Sequence, residues 1–341
     1  MNYPHFVIIA FISLGLFACE PATKSSGETA STTKSPETTS TSEYPTIGSI
    51  EQWDVNLWEI LPEGAQIEIL AEGFDWTEGP VWIAEEEMLL FSDIPPNAIY
   101  KWKEGEEKSV FLTPSGYTGK EKRGGEVGSN GLLLDPSGQL VLCQHGDRRM
   151  ARLNASWDKP APNFETLADK YDGKRFNSPN DATYHSSGDL YFTDPPYGLE
   201  KKTEDPAKEI PFQGVYRLDT EGTVHLLTDE LTRPNGIAFS PDEKYLYVAV
   251  SDPVGAVWMV YNVEADGNIS NGRVMYDATE KVGSENKGLP DGMKVDNKGN
   301  IFATGPGGVY VFNADGFPLG LIRTTQATSN CAFGNDGKYL Y

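Results

Sequence analysis

Short apolar segments separated by tight turns recur along the chain from residue 47 onward. Each copy begins with a polar residue, continues as an apolar segment, turns, and enters a second apolar segment. We call the polar residues that begin the copies the leading residues; they are Glu78, Asn130, Asn180, Asn235 and Asp291. They are separated by 52, 50, 55 and 56 positions. This spacing shows a repeat of roughly constant length.

A repeat of about 40 to 50 residues that contains only short strands is typical of a β-propeller, in which each repeat is one four-stranded blade. The second segments, such as Leu190–Asp194, are rich in aromatic and β-branched residues, which favour strands. No segment has the 3.6-residue apolar period of a long helix. We therefore predict an all-β, six-bladed propeller with very little helix.

The sixth copy begins at Ser329 and reaches only its second strand before Tyr341. We therefore expect the last blade to be truncated, with the natural protein continuing for roughly one more strand pair. The segment Ala65–Leu70 is predicted to pair with this blade from the N-terminal side.

Equivalent positions of successive blades meet around the central channel of a propeller. The leading residues would bring two carboxylates and three amides to that channel. Carboxylate and amide oxygens suit a hard divalent cation better than they suit zinc or copper. The repeat therefore predicts a metal site in the channel.

The chain of 341 residues carries a formal net charge of −22. Nucleic acid is a poor partner for such a chain, because phosphate binding needs clustered Lys and Arg. The acidic balance favours a neutral substrate, or an anion neutralised by a bound metal. Cys143 and Cys331 lie in strand-like segments far apart in the repeat order, and we expect both to be buried free thiols.

The N-terminal residues form separate units. Residues 1–19 contain an apolar run of signal-peptide length and end in Leu-Phe-Ala-Cys, which resembles a bacterial lipobox and implies lipidation of Cys19. Residues 20–46 are rich in Ser and Thr and read as a disordered tether. Residues 47–341 form the predicted propeller. We expect an exported lipoprotein, anchored in the outer membrane through its lipid alone and facing the periplasm or the cell surface.

The leading residues occur in phrases that resemble the regucalcin/gluconolactonase/luciferin-regenerating-enzyme-like family of six-bladed propellers. The phrases, in chain order, are Glu78-Gly79-Pro80, Pro179-Asn180-Asp181, Pro234-Asn235-Gly236 and Pro290-Asp291-Gly292-Met293. Two further phrases, residues 144–149 and 174–181, resemble the bacterial gluconolactonase branch. The resemblance spans residues 76–341.

The resemblance implies that Glu78, Asn180, Asn235 and Asp291 hold a divalent ion, often calcium, although magnesium, manganese or zinc could occupy the same place. It implies hydrolysis of a sugar-acid lactone, in which the metal polarises the ring carbonyl. Asp291 is the candidate for orienting or deprotonating the attacking water. Asn130 and His145 are candidate substrate contacts.

Two other interpretations remain open. The same centre could hydrolyse another lactone, an ester or a phosphotriester, because a metal is not selective about the group that it polarises. Alternatively, the propeller could be a non-catalytic module that binds a glycan or a protein. The sequence has no Gly-x-Ser-x-Gly phrase and no Cys/His pair at recognisable spacing, which argues against covalent catalysis.

Overall fold

The computed structural model describes residues 44–341, which fold as an all-β propeller. The second strand of each blade is its most buried part because neighbouring blades cover both of its faces. All six residues of Met88–Asp93 and all five of Leu190–Asp194 are buried. The apolar runs in the sequence therefore become the strands at the centre of the packing.

Five antiparallel sheets form blades I to V. Each contains four consecutive strands of the chain in sequential order, with the leading residue of the copy in or just before the first of them. The strands are Thr77–Ile83, Met88–Asp93, Ala98–Trp102 and Ser109–Leu112 in blade I; Ser129–Leu134, Leu140–Gln144, Arg149–Leu153 and Phe164–Ala168 in blade II; Ala182–Tyr184, Leu190–Asp194, Gly214–Leu218 and Val224–Thr228 in blade III; Pro234–Phe239, Tyr245–Asp252, Gly255–Val263 and Ile269–Asp277 in blade IV; and Met293–Val295, Ile301–Gly305, Gly308–Phe312 and Pro318–Arg323 in blade V.

The sixth copy is a two-stranded hairpin of Phe333–Gly334 and Tyr339–Leu340. Its Tyr341 ring stacks on Trp82 of blade I, with ring centroids 5.4 Å apart. Ser329 Oγ donates to the carbonyl oxygen of Thr77, at 2.6 Å. The hairpin therefore joins blade V to blade I around the channel.

The predicted pairing of Ala65–Leu70 with the sixth copy is wrong. Within this segment Ile67–Glu68 pairs with Thr46–Ile47 in a separate two-stranded sheet. The segment nevertheless packs near the sixth copy: Ile67 shares a buried cluster with Cys331 and Leu340, and Leu70 shares another with Tyr341. The strand Ser49–Gln52 instead extends blade V, where it pairs with Pro318–Arg323.

Helix is scarce, as predicted. The described residues contain four 3₁₀ helices, Val55–Glu59, Ala84–Glu86, Lys202–Glu204 and Thr279–Lys281, and one extra hairpin of Lys170–Tyr171 and Lys174–Arg175. None of the helices in this part of the chain has the length and apolar character that a membrane crossing requires. Cys143 and Cys331 are both buried and free, as predicted.

The predicted signal peptide, Cys19 and all but the last three residues of the predicted tether lie outside the described residues. Those last three are part of the folded structure. Tyr44 donates a hydrogen bond to Glu104 Oε1 at 2.7 Å, and Thr46 begins the first strand.

Candidate metal and lactone site

All five leading residues line one cavity at the end of the channel, with a volume of about 510 Å³. Their exposed fractions are 3% for Glu78, 2% for Asn130, 1% for Asn180 and 4% for Asn235. Asp291 is more accessible than these four and lies on the open wall. The structure thus brings together the four predicted metal ligands and Asn130, one of the two predicted substrate contacts.

Carboxylates at the ends of second strands fix the approach to two leading residues. Asp93 accepts backbone N–H bonds from Asp75 and Trp76, just before Glu78. Asp194 accepts bonds of 2.7 Å from the backbone N–H groups of Asn177 and Ser178, just before Asn180. The repeat pattern in the sequence did not indicate this role for Asp93 and Asp194.

Hydroxyl groups on the second strands of blades I, III and V connect these blades to the leading residue of the next copy. Ser92 Oγ of blade I donates to the carbonyl oxygen of Asn130, at 2.9 Å, and Thr193 Oγ1 of blade III donates to that of Asn235, at 2.7 Å. Thr304 Oγ1 of blade V donates in the same way to Ser329, at 3.0 Å. Ser329 is therefore the sixth leading residue, as the alignment of the copies predicted.

Glycine follows a leading residue because the backbone of the next blade passes against it. A side chain at Gly79 would overlap the carbonyl oxygen of Asn130, and one at Gly236 would overlap that of Asp291. The Asn-Gly and Glu-Gly pairs of the repeat are therefore packing requirements between blades, and they fix the position of the leading side chains relative to one another.

Several oxygens in the cavity wall have no hydrogen-bond partner among residues 44–341. They are Oδ1 of Asn130, Oδ1 of Asn180 and Oδ1 of Asp291; Nδ2 of Asn180 also lacks a partner. Leaving a buried polar group unpaired costs about 1–3 kcal/mol. Buried oxygens that converge on one cavity without donors are suited to a bound cation and to the polar groups of a substrate.

The two carboxylates of the layer interact electrostatically, and protein shields both of them from most of the solvent. Burial raises the pKa of Glu78 to about 8, and the charge of Asp181 adds to this effect. The hydrogen bond from the backbone N–H of Gly79 acts in the opposite direction and lowers the pKa. Burial, together with the charge of Glu78, raises the pKa of Asp291 well above its usual range. A bound dication would reverse both effects, because it favours the ionised forms.

The donor set fits a hard divalent cation. Glu78 and Asp291 supply two negative charges, and Asn180 and Asn235 supply neutral amide oxygens, which are the ligands that calcium prefers. No group of three or more His, Cys, Asp or Glu side chains with metal-binding geometry occurs in the described part of the chain. A zinc-type cluster is therefore absent from the described residues. The leading residues differ from such a cluster because they combine two carboxylates with amide side chains.

Residues outside the repeat complete the cavity wall. Among them are Glu126, Tyr197 and Lys202, which lie on the loops after blade I and after the second strand of blade III. Burial raises the pKa of the Tyr197 phenol, to which Ser251 is hydrogen-bonded, so this group remains a neutral donor. The repeat pattern could not identify these residues, because loops of this kind have no counterpart in the other blades.

His145 lies behind the cavity wall. Its side chain is fully buried, and its Nδ1 is 3.4 Å from Glu126 Oε2, whose side chain is one-third exposed. Neither Nδ1 nor Nε2 makes a hydrogen bond to the described residues. The structure therefore connects His145 to the cavity through Glu126, and its role as a substrate contact stays a prediction.

The fold and the site together define a class: a β-propeller with a buried layer of carboxylate and amide side chains in its channel. Residues 76–341 match the SMP-30/Gluconolactonase/LRE-like region, a family defined by its sequence profile. The chain belongs to this family, as the phrases around the leading residues predicted.

Three relatives illustrate the similarity. The chain is 40% identical to a gluconolactonase of Zymomonas mobilis over 301 residues, which cover 87% of this chain and 83% of the relative. A solved gluconolactonase structure from Xanthomonas campestris superposes with a TM-score of 0.72 at 30% identity, covering 87% and 93% of the two chains. A calcium-binding protein, regucalcin, from Agrobacterium tumefaciens has a TM-score of 0.55 at 18% identity, covering 77% and 79%, which shows a shared fold.

Proposed function

We propose that the protein is a metal-dependent hydrolase that opens a sugar-acid lactone, as a gluconolactonase does. The observation that carries the proposal is the layer of unpaired buried oxygens on Asn130, Asn180 and Asp291 beside the enclosed Glu78 carboxylate. The 40% identity to a gluconolactonase over most of both chains supports the same reaction.

Glu78, Asn180, Asn235 and Asp291 would hold the cation, for which calcium is the best fit. When bound, the cation supplies a Lewis acid for the ring carbonyl oxygen and compensates the charge of the two carboxylates. Asn235 interacts with the Asp291 side chain, and Asp291 Oδ1 has no hydrogen-bond partner among residues 44–341.

Hydrolysis adds water across the ring C–O bond and yields a hydroxy acid. Asp291 accepts a proton from the attacking water and returns it to the ring oxygen as that bond breaks. The Asn130 amide would contact the bound lactone, and the Tyr197 phenol would be a neutral donor on the same cavity wall.

A non-catalytic binding propeller is the weaker alternative. A binding surface has no need for two enclosed carboxylates beside unpaired amide oxygens, because that arrangement destabilises the fold unless something binds there. The hydrolysis of other lactones, esters or phosphotriesters uses the same residues and is distinguished by substrate tests.

The test is hydrolysis of glucono-1,5-lactone by the purified protein, followed as acid release and corrected for spontaneous opening. We expect activity with calcium, its loss in EDTA and recovery when calcium is restored. Asp291→Ala should be inactive under all three conditions. Calcium binding without turnover of this lactone would redirect the search to other esters and lactones, and a folded protein that binds no divalent cation would refute the proposal.

We also propose export and lipid anchoring through Cys19, on the lipobox-like sequence alone. In bacterial cells, labelled palmitate should be incorporated into the natural sequence and not into a Cys19→Ser variant. Label in neither protein would reject the anchor without affecting the proposal for the active site.

A further inference from the structure

Glu126 differs from the other acids of the cavity. Glu78 and Asp291 are leading residues at equivalent places in their blades, whereas Glu126 comes from the loop between blades I and II. Its side chain is one-third exposed and lies on the cavity wall. It is therefore a carboxylate open to the cavity and separate from the predicted metal ligands.

The loop that carries Glu126 is fixed by several contacts. Arg123 donates to the carbonyl oxygens of Gly146 and Gly198, at 2.5 and 2.6 Å, and so ties the loop to blades II and III. The backbone N–H of Gly128 donates to Ile94, at 3.0 Å. Glu126 is thus held between two anchored positions.

His145 lies directly behind this carboxylate. Its Nδ1 is 3.4 Å from Glu126 Oε2, and the imidazole is fully enclosed by protein. The imidazole packs behind the carboxylate, with neither ring nitrogen in a hydrogen bond to the described residues, and so limits the space into which the Glu126 side chain can turn. The Glu126 carboxylate is therefore held in the cavity wall, where it can accept hydrogen bonds from a bound molecule.

An ionised carboxylate accepts hydrogen bonds and cannot donate them. It can therefore bind the hydroxyl groups of a sugar ring, including two neighbouring hydroxyls at once, and it repels carboxylate or phosphate substituents. A lactone without hydroxyl groups gains nothing from it. A hydrogen bond to a charged group changes kcat/KM by about tenfold or more.

We infer that Glu126 is a specificity-determining residue that accepts hydrogen bonds from the hydroxyl groups of a polyhydroxylated, uncharged lactone, and that His145 is a positioning residue that acts through it. The inference rests on the proposed lactone hydrolysis, and it deepens that proposal by assigning the part of the site that recognises the substrate.

The test compares two substrates, glucono-1,5-lactone and the unsubstituted δ-valerolactone, with calcium present. For Glu126→Ala we expect kcat/KM for gluconolactone to fall about tenfold or more through KM, with valerolactone kinetics unchanged. Glu121→Ala, on the exposed part of the same loop, is the matched control and should leave both substrates unaffected. An equal loss for both lactones, or no loss for either, would overturn the inference.

Two variants test the role of His145. His145→Asn can keep a donor near the Nδ1 position and should retain most of the preference for gluconolactone, whereas His145→Ala should lose it as Glu126→Ala does. If His145→Asn and His145→Ala prefer gluconolactone over valerolactone to the same extent, His145 has only a packing role and is removed from the inference.

The controls separate this inference from the proposed function. A natural protein that hydrolyses neither lactone rejects gluconolactone as the substrate, and the inference falls with it. A natural protein that hydrolyses both lactones, combined with a Glu126→Ala variant of unaltered selectivity, refutes the inference alone.

Discussion

Asp291 and Asp194 are aspartates at the same end of the propeller, yet their oxygens have opposite surroundings. Each oxygen of Asp194 accepts a backbone N–H at 2.7 Å. Oδ1 of Asp291 has no partner among residues 44–341, and it lies on a cavity wall beside Glu78. Burial raises the pKa of both groups, to about 7 for Asp194 and well above the usual range for Asp291.

The comparison shows that burial and a raised pKa do not by themselves identify a functional acid. What distinguishes the two aspartates is whether the fold supplies the hydrogen bonds. Asp194 belongs to the scaffold, because the backbone before Asn180 uses both of its oxygens. Asp291 belongs to the site, because an oxygen remains for a ligand. Four measurements can strengthen or contradict this division.

The largest expected effect is on activity. Asp291→Asn should lower kcat about 10²- to 10⁴-fold, because it removes the base and one charge of the predicted metal site, while the melting temperature without calcium stays the same or rises. Lactone hydrolysis and calorimetry on the same preparations measure both. A variant that loses stability in proportion to activity would place Asp291 in the scaffold with Asp194.

Asp194→Ala should have the second largest effect, a loss of about 3–5 kcal/mol in the free energy of unfolding. It leaves two buried N–H groups, those of Asn177 and Ser178, without an acceptor. Asp205→Ala is the matched control. Asp205 also accepts two backbone N–H bonds, from Lys201 and Ala207, but near the surface, and should cost less than about 1 kcal/mol. Urea unfolding of both variants measures the difference; equal losses would contradict the assignment.

Calcium should stabilise the protein through the site alone. At a concentration one hundred times its dissociation constant, a ligand that binds only the folded state adds about 2.7 kcal/mol. We expect this increase in the natural protein and in Asp205→Ala, and its absence in Asp291→Asn, in thermal unfolding with calcium against EDTA. An undiminished increase in Asp291→Asn would place the calcium elsewhere.

The smallest expected effect is the pH dependence of the metal-free protein. The pKa of Glu78 is about 8 in the folded state, against an ordinary value of 4.5. Between these values the folded protein holds a proton that the unfolded chain has released, so stability decreases as pH rises. In EDTA the melting temperature should fall between pH 5 and 8.5, and less steeply in Glu78→Gln. An identical decline in both proteins would show that Glu78 is not its source.

The sequence predicted the propeller because its second and third strands are continuous apolar runs between turns. The strand Leu190–Asp194 matches its predicted segment residue for residue. The leading residues were found because the copies share one spacing. The pairing of Ile67–Glu68 was missed because a two-residue strand has no period, and its partner is set by packing between distant segments.

The part of the site that was missed lies outside the repeat. Glu126 and Tyr197 reach the cavity from loops whose paths depend on contacts such as those of Arg123 with Gly146 and Gly198. No pattern of apolar and polar residues specifies such contacts. The repeat therefore identified the candidate metal ligands as a group. The loop residues of the cavity wall became apparent only in the three-dimensional structure.

The glycines behind the leading residues have a consequence for protein engineering. Gly79 and Gly236 allow neighbouring blades to touch through their main chains, so the backbone of the channel holds its shape without help from the side chains before them. Glutamate, asparagine and aspartate already occupy equivalent places in this one molecule. The leading positions therefore accept different polar side chains, and substitutions there can change the groups offered to the cavity without rebuilding the scaffold.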